Sequence, residues 1–412
     1  MELIIERVEV LLLIAAVVSM IARRLRLPYT VGLVFAGFFI ALTPLTPGFA
    51  LTKSLIFTAF LPPLIFEAAF QMPWKELRKD MPVTLTLATA GVVLSAGVVA
   101  AGIHFLLGWA WEVAIVFGVL ISATDPVSVI ATFKAAGVHG RLGLLVEAES
   151  LFNDGTAAVL FGVALAAVGA GAAAITITPG GVFLSFLITV LGGILCGAVV
   201  GGLTLLLAGR TEDHLVEITF TTIAAYGSFL LAEHFHLSGV LATLTAGVML
   251  GNLGTLGAIT DRGREAVLSF WEYVGFVANS LIFLLIGMPL AHQDFVATGA
   301  AIGVVTLLVL LGRALAVYGG CALFVRSAAL RVSAAHQHIL FWGGLRGALA
   351  LALVLGLPDD MPMRETITTV AFGVVAFSII VQGLTMTPLL RKLGEIAPVP
   401  SAGASENAHS RP

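Results

Sequence analysis

FGVLISATDPVSVIATF, residues 117–133, is an apolar run interrupted at its centre by Thr124, Asp125 and Pro126. Pro126 lacks a backbone donor and its ring clashes with the carbonyl of Ser122. It also pushes Asp125 away from helical dihedrals. The run therefore reads as a helix that breaks over Ser122 to Asp125. A simple proline kink is the plainer reading, but a kink has no need of the adjacent Thr124 and Asp125. Inside a membrane, such a break survives only where it is buried in protein or faces water.

The rest of the chain places this run in a membrane. Of 412 residues, 59% are hydrophobic and only 11% are charged, against roughly 25% charged in a soluble domain. The mean hydropathy is +1.06. This composition excludes a soluble enzyme, a disordered chain and a nucleic-acid binder, and the net charge of −3 implies no particular partner. Cys196 and Cys321 give neither a disulfide scaffold nor a zinc spacing. Cut at charged or Pro/Gly-rich turns, the chain yields thirteen apolar segments: 4–21, 29–46, 51–72, 81–107, 110–133, 145–169, 180–208, 214–232, 237–252, 266–290, 299–324, 337–357 and 366–389. The predicted fold class is an all-α polytopic membrane protein. With the amino terminus outside, sixteen of the 21 lysines and arginines fall on the inner side and three on the outer, which sets the orientation and puts the carboxyl terminus in the cytoplasm. Acidic residues around Arg7 argue against a cleaved signal. The short tail, 391–412, reads as disordered. Thirteen segments divide as six, one and six, the plan of an inverted repeat.

Ionisable residues at membrane depth are costly and mark function. In VEAESLFNDGTAAVLFG, residues 146–162, Ser150, Asn153 and Asp154 share one helical face, with Glu147 two turns nearer the cytoplasm on the same face. Glu149 points about 140° away from Asp154. Oxygen-bearing side chains grouped in this way suit a small hard cation; a plain interhelical hydrogen-bond cluster would not need the acids. In FWGGLRGALALAL, residues 341–353, Gly343, Gly344 and Gly347 surround Arg346 and permit unwinding. That arginine needs a carboxylate or backbone carbonyls. At about 1.5 Å per residue, Asp125, Asp154 and Arg346 all lie roughly 13–14 Å from the inner side, near the midplane. Glu67, in LPPLIFEAAF (61–70), and Glu147 lie shallower and fit the lining of a cytoplasmic funnel.

These segments resemble the electroneutral monovalent cation:proton antiporter family, the bacterial, archaeal and animal sodium/proton exchangers. The matching pieces are FEAAF (66–70), SATDPVSV (122–129), AESLFNDGTA (148–157), LSGVLATLTAGVMLGN (237–252), FWEYVGFVANSLIFLLIG (270–287), GGLRGALAL (343–351) and VQGLTMTPL (381–389), in family order. The resemblance implies a homodimer and a six-helix core with two broken, crossing helices, spans five and twelve. One membrane domain would cover 1–390, with a dimer part at roughly 1–75 and 175–295 and a transport part at roughly 78–172 and 297–390. It implies that Asp154 carries the ion or the proton, and that Asn153 before it goes with one-for-one exchange, a second aspartate there being typical of electrogenic relatives. Ser150 and Thr124 resemble ion-coordinating oxygens, Glu67 a glutamate assisting through water, and Glu149 and Arg346 the core ion pair. Asp125 sits among broken helix ends whose positive end favours its charge. FEAAF has alanine where many relatives have glycine.

The expected activity is exchange of Na+ or Li+ for H+ across the plasma membrane by alternating access, with Na+ held at Asp154, Ser150 and Thr124. Potassium/proton exchange is the alternative, a cation channel a remote one. An intramembrane protease lacks its paired-aspartate or HExxH helix, and an ATP-driven pump its phosphate loop. No cofactor is expected, and no partner beyond the lipid bilayer and a second copy of the chain. Arg313 and Glu272 read as structural, and the His234/His236 and His336/His338 pairs as hydrated interfacial residues, with pH sensing by His139 or His336 an open possibility.

Overall fold

The computed structural model describes residues 2–25, 27–43, 51–138, 140–169, 179–254 and 259–396, and among these there is no strand. His139 and the tail beyond 396 lie outside the described residues. Seventeen α-helices follow in order. The first five are α1 (Glu2–Leu25), α2 (Tyr29–Ala41), α3 (Leu61–Gln71), α4 (Trp74–Ala88) and α5 (Ala90–Leu107). Next come α6 (Trp111–Leu120), α7 (Val127–Ala136), α8 (Arg141–Gly169), α9 (Pro179–Ala208), α10 (His214–His234) and α11 (Gly239–Leu253). The last six are α12 (Asp261–Leu290), α13 (Phe295–Ala322), α14 (Ala334–Trp342), α15 (Ala348–Leu355), α16 (Arg364–Phe377) and α17 (Gly383–Lys392). Among the described residues, seven helical stretches are long and apolar enough to cross a membrane.

Two longer rods contain irregular turns. A π-turn at Leu55–Phe60 leads into α3, and another at Ser378–Gln382 joins α16 to α17. α4 and α5 run on through Thr89, whose N–H bonds the Leu85 carbonyl. Small residues let helix backbones touch. A Cβ on Gly37 of α2 would strike the Leu284 carbonyl of α12, and one on Gly287 the Val34 carbonyl of α2. α12 packs on α1, α2, α3 and α10, while α9, α10 and α11 pack on one another. Separately, α13 packs on α5, α14 and α16, and α8 on α4 and α6.

The helix that begins as α6 stops at Leu120; residues 121–126 are not helical, and α7 begins at Val127. α14 stops at Trp342, residues 343–347 are not helical, and α15 begins at Ala348. The two broken segments meet where the Asp125 N–H donates to the Leu345 carbonyl at 2.7 Å. The start of α8 is held by Arg141, which grips the buried Asp80 of α4 at 2.7–3.0 Å and donates to the carbonyls of Leu330 and Arg331.

Candidate functional site

Broken helices expose unpaired backbone groups at four ends, and charged side chains meet them. Asp125 serves two N-termini: Oδ1 accepts from the Val127 N–H of α7 at 2.9 Å, and Oδ2 from the Ala348 N–H of α15 at 3.4 Å. A carboxylate is favoured at these positive ends. Arg346 serves the opposite pole. Its guanidinium donates to the carbonyls of Ser122 and Ala123, just past the end of α6, and its own N–H donates to Ser378 Oγ at 2.7 Å. Arg313 donates to the Leu340 carbonyl in the last turn of α14 at 2.8 Å, and Gln382 donates to the Trp342 carbonyl at 2.9 Å. The π-turn at Ser378–Gln382 thus supplies two of the groups that stabilise the second break.

The expected Glu149–Arg346 ion pair is corrected here. Glu149 pairs with Arg313 of α13 through a two-pronged contact, at 2.8 Å from Nη1 to Oε1 and 2.9 Å from Nη2 to Oε2. Both residues are buried. Arg346 Nη1 donates to backbone carbonyls instead, and its Nε is buried without a partner. The reason is geometric. Arg346 lies in the unwound segment itself, beside the carbonyls that the first break frees, whereas Arg313 projects from a neighbouring intact helix toward the face of α8 that carries Glu149. Arg313, for which a structural partner was expected, meets one on the motif helix.

α8 carries the acidic motif into the crossing. Ser150 Oγ donates to the Thr124 carbonyl and accepts the Thr124 hydroxyl at 3.3 Å, so it fixes the first break against α8. That carbonyl keeps a second lone pair. Asn153 Nδ2 donates to Glu149 Oε1 at 3.3 Å. Asp154 is 9% exposed, and its Oδ1 is buried without a hydrogen-bond partner, as is Asn153 Oδ1. Leaving a buried polar oxygen unmatched costs about 1–3 kcal/mol. A proton on the carboxyl group or a cation against it removes that cost.

A cavity of about 890 Å³ reaches this point. Thr124, Asp125 and Asp154 line it, as do Glu67 and Glu147, the two expected funnel residues. Its wall extends to Lys134 and Arg391 and includes Glu272, which the sequence suggested was merely structural. Glu67 Oε1 accepts from Gln71 at 2.8 Å. Ser150 and Asn153 are not part of the wall; they stand behind Thr124 and Asp154. Gly347 also lines the wall, and a Cβ there would collide with the Asp125 carboxylate. Gly347→Ala is therefore expected to displace Asp125 from both helix ends, at a cost of about 1–3 kcal/mol; a fall in melting temperature and in exchange rate together would bear this out. The paired histidines take separate partners, His338 with Tyr318 Oη at 2.7 Å and His336 with Glu395 at 3.2 Å.

A family model described as sodium/hydrogen exchanger, transmembrane, matches residues 10–392. The chain belongs to this exchanger family. Among exchangers and related antiporters, the Na(+)/H(+) antiporter NhaH of Halobacillus dabanensis is 37% identical over 404 residues, which is 94% of this chain and 98% of that one. ApNhaP, a Na(+)/H(+) antiporter of Aphanothece halophytica, is 37% identical over 372 residues, covering 90% of this chain and 70% of the relative. The exchanger fold also matches the solved sodium proton antiporter MjNhaP1 of Methanocaldococcus jannaschii, with a TM-score of 0.74 at 20% identity over 95% of this chain and 99% of that one.

Proposed function

We infer that this exchanger moves sodium ions against protons by secondary antiport, with Asp154 holding either one ion or one proton. The observation that carries this reading is the buried, unmatched carboxylate oxygen of Asp154, a residue that lines the same cavity as Thr124 and Asp125. A single group that holds either cargo couples the two fluxes, because each must leave before the other binds. The relatives' names support sodium and lend nothing to the potassium alternative. Lithium is a second cargo under the same chemistry.

The same reading includes thirteen membrane crossings, the amino terminus outside and the carboxyl terminus in the cytoplasm of a plasma membrane, and a homodimer. In it, a transport part (roughly 78–172 and 297–390) moves against a dimer part (roughly 1–75 and 175–295), presenting Asp154 to each side in turn. The cavity lining supports an orientation open toward Lys134 and Arg391, the lysine- and arginine-rich side. Two acids at the crossing are held by fixed partners: Glu149 is neutralised by Arg313, and Asp125 is held at two helix N-termini.

Exchange is then electroneutral, one sodium ion for one proton. A net charge moved per cycle would couple the rate to voltage by about 2.3 kcal/mol per 100 mV. Sodium uptake driven by a pH gradient into proteoliposomes is expected to run equally fast with the potential clamped at zero or made strongly negative. A rate that follows the potential would show that a second group, such as Glu67, also exchanges protons.

A further inference from the structure

Thr30, in the first turn of α2, and Ser128, in the first turn of α7, share a hydrogen bond of 2.6 Å between their hydroxyls, both buried. The bond joins a helix of the dimer part to the half-helix that leaves the crossing point. Gly383 of α17 also lies against α2, where a Cβ would meet Val31 Cγ2 at 3.4 Å. Thr132 lies one turn further along α7, four residues on, and therefore on the same face. It is buried and lines the cavity, and its hydroxyl donates to the Ser128 carbonyl, leaving its oxygen able to accept another bond.

Helices at a moving interface shift by about 1–2 Å or, more drastically, by one full turn. A shift of α7 along α2 by four residues, about 6 Å at 1.5 Å per residue, carries Ser128 away from Thr30 and brings Thr132 to its level. Without a second hydroxyl the shift would strand Thr30 in a buried seam, at the cost of an unmatched polar group.

We propose that Thr30, Ser128 and Thr132 form a two-position latch that sets the resting places of the moving part, Thr30 bonding Ser128 when the cavity is open as seen here and Thr132 when Asp154 faces the other side. These are positioning residues; none needs to touch the ion. The proposal rests on the alternating-access reading above, and it makes the direction of each effect depend on which hydroxyl is removed. Ser128→Ala loosens the state seen here and Thr132→Val the opposite one, whereas Thr30→Val removes the bond of both states and leaves their balance unchanged. A merely structural role would give effects of the same sign.

The test places a reporter cysteine at Ala68, a half-buried residue of the cavity wall on α3, in full-length protein with Cys196 and Cys321 replaced by alanine. Labelling by a water-soluble maleimide is followed at the sodium concentration and pH that give half-maximal labelling in the parent. One lost hydrogen bond corresponds to about a fivefold shift in population. Ser128→Ala is expected to slow labelling by up to that factor and Thr132→Val to speed it, with Thr30→Val, which loses the bond of both states, and Thr30→Ser labelling like the parent. Ser128→Ala and Ser128→Gly remove the same bond, so either one that folds suffices. Shifts of the same sign in Ser128→Ala and Thr132→Val, or no shift in either, would overturn the latch. Parent labelling that ignores both sodium and pH would instead overturn the alternating-access reading on which the latch rests.

Discussion

Asp154→Asn is expected to abolish sodium-driven proton movement while leaving a folded protein. Asparagine keeps the shape of the side chain and one carbonyl oxygen, but it carries neither a proton nor a negative charge. Of the acids near the crossing, Glu149 is held by Arg313 at 2.8–2.9 Å and Asp125 by two helix N-termini, so neither is free to replace it. Neutralising a buried carboxylate removes a desolvation cost, so the melting temperature should hold or rise. The check is sodium-dependent dissipation of a pH gradient in proteoliposomes, set beside thermal unfolding of the same preparation. Substantial flux from Asp154→Asn would remove Asp154 from the centre of the mechanism.

Arg313→Ala is expected to have the largest effect on stability. It strips Glu149 of both prongs of its ion pair and leaves the Leu340 carbonyl at the end of α14 without a donor. Removing one partner of a buried pair costs about 3–5 kcal/mol, because the remaining charge stays buried and uncompensated. Expression and melting temperature should both fall sharply. Arg313→Lys keeps the charge but not the planar fork, so it should recover only part of the loss. Glu149→Gln in the Arg313→Ala background removes the stranded charge and should restore some stability. Arg346→Ala should be milder, since what it leaves unpaired is neutral carbonyls, at about 1–3 kcal/mol. If Arg346→Ala proved the more damaging of the two, the assignment of the ion pair to Arg313 would be wrong.

The two breaks could be read from residues because their causes are local. Pro126 and its polar neighbours, and three glycines around Arg346, act within a few residues of where the helix stops. The face shared by Ser150, Asn153 and Asp154 could be read because periodicity fixes directions within one helix. Periodicity also turned Glu149 away from Asp154, but it could not say which helix it would meet. That depends on the rotation and height of α13, 164 residues further along the chain. Two arginines at similar depth were available, and only the packing of α8 against its neighbours distinguishes them. The place of Glu272 on the cavity wall was illegible for the same reason: its position on α12 gives no hint that α3 and α7 leave a cavity in front of it. The π-turn at Ser378–Gln382 carries no proline or internal glycine, so nothing in its sequence announces irregular backbone. Its polar residues, Ser378 and Gln382, were a faint signal, since both are buried and both bond to the second broken segment.

The central claim is competition between a sodium ion and a proton for Asp154, and proton release on sodium binding measures it directly. Purified protein in weakly buffered solution is titrated with sodium at a series of pH values, and protons released are counted against ions bound. Ligand groups must be deprotonated to hold a cation, so binding in the acidic range should release one proton per sodium ion, with apparent affinity falling about tenfold for each unit that the pH is lowered. Asp154→Asn should release none. Sodium binding that releases no proton, at an affinity that does not change with pH, would contradict the account.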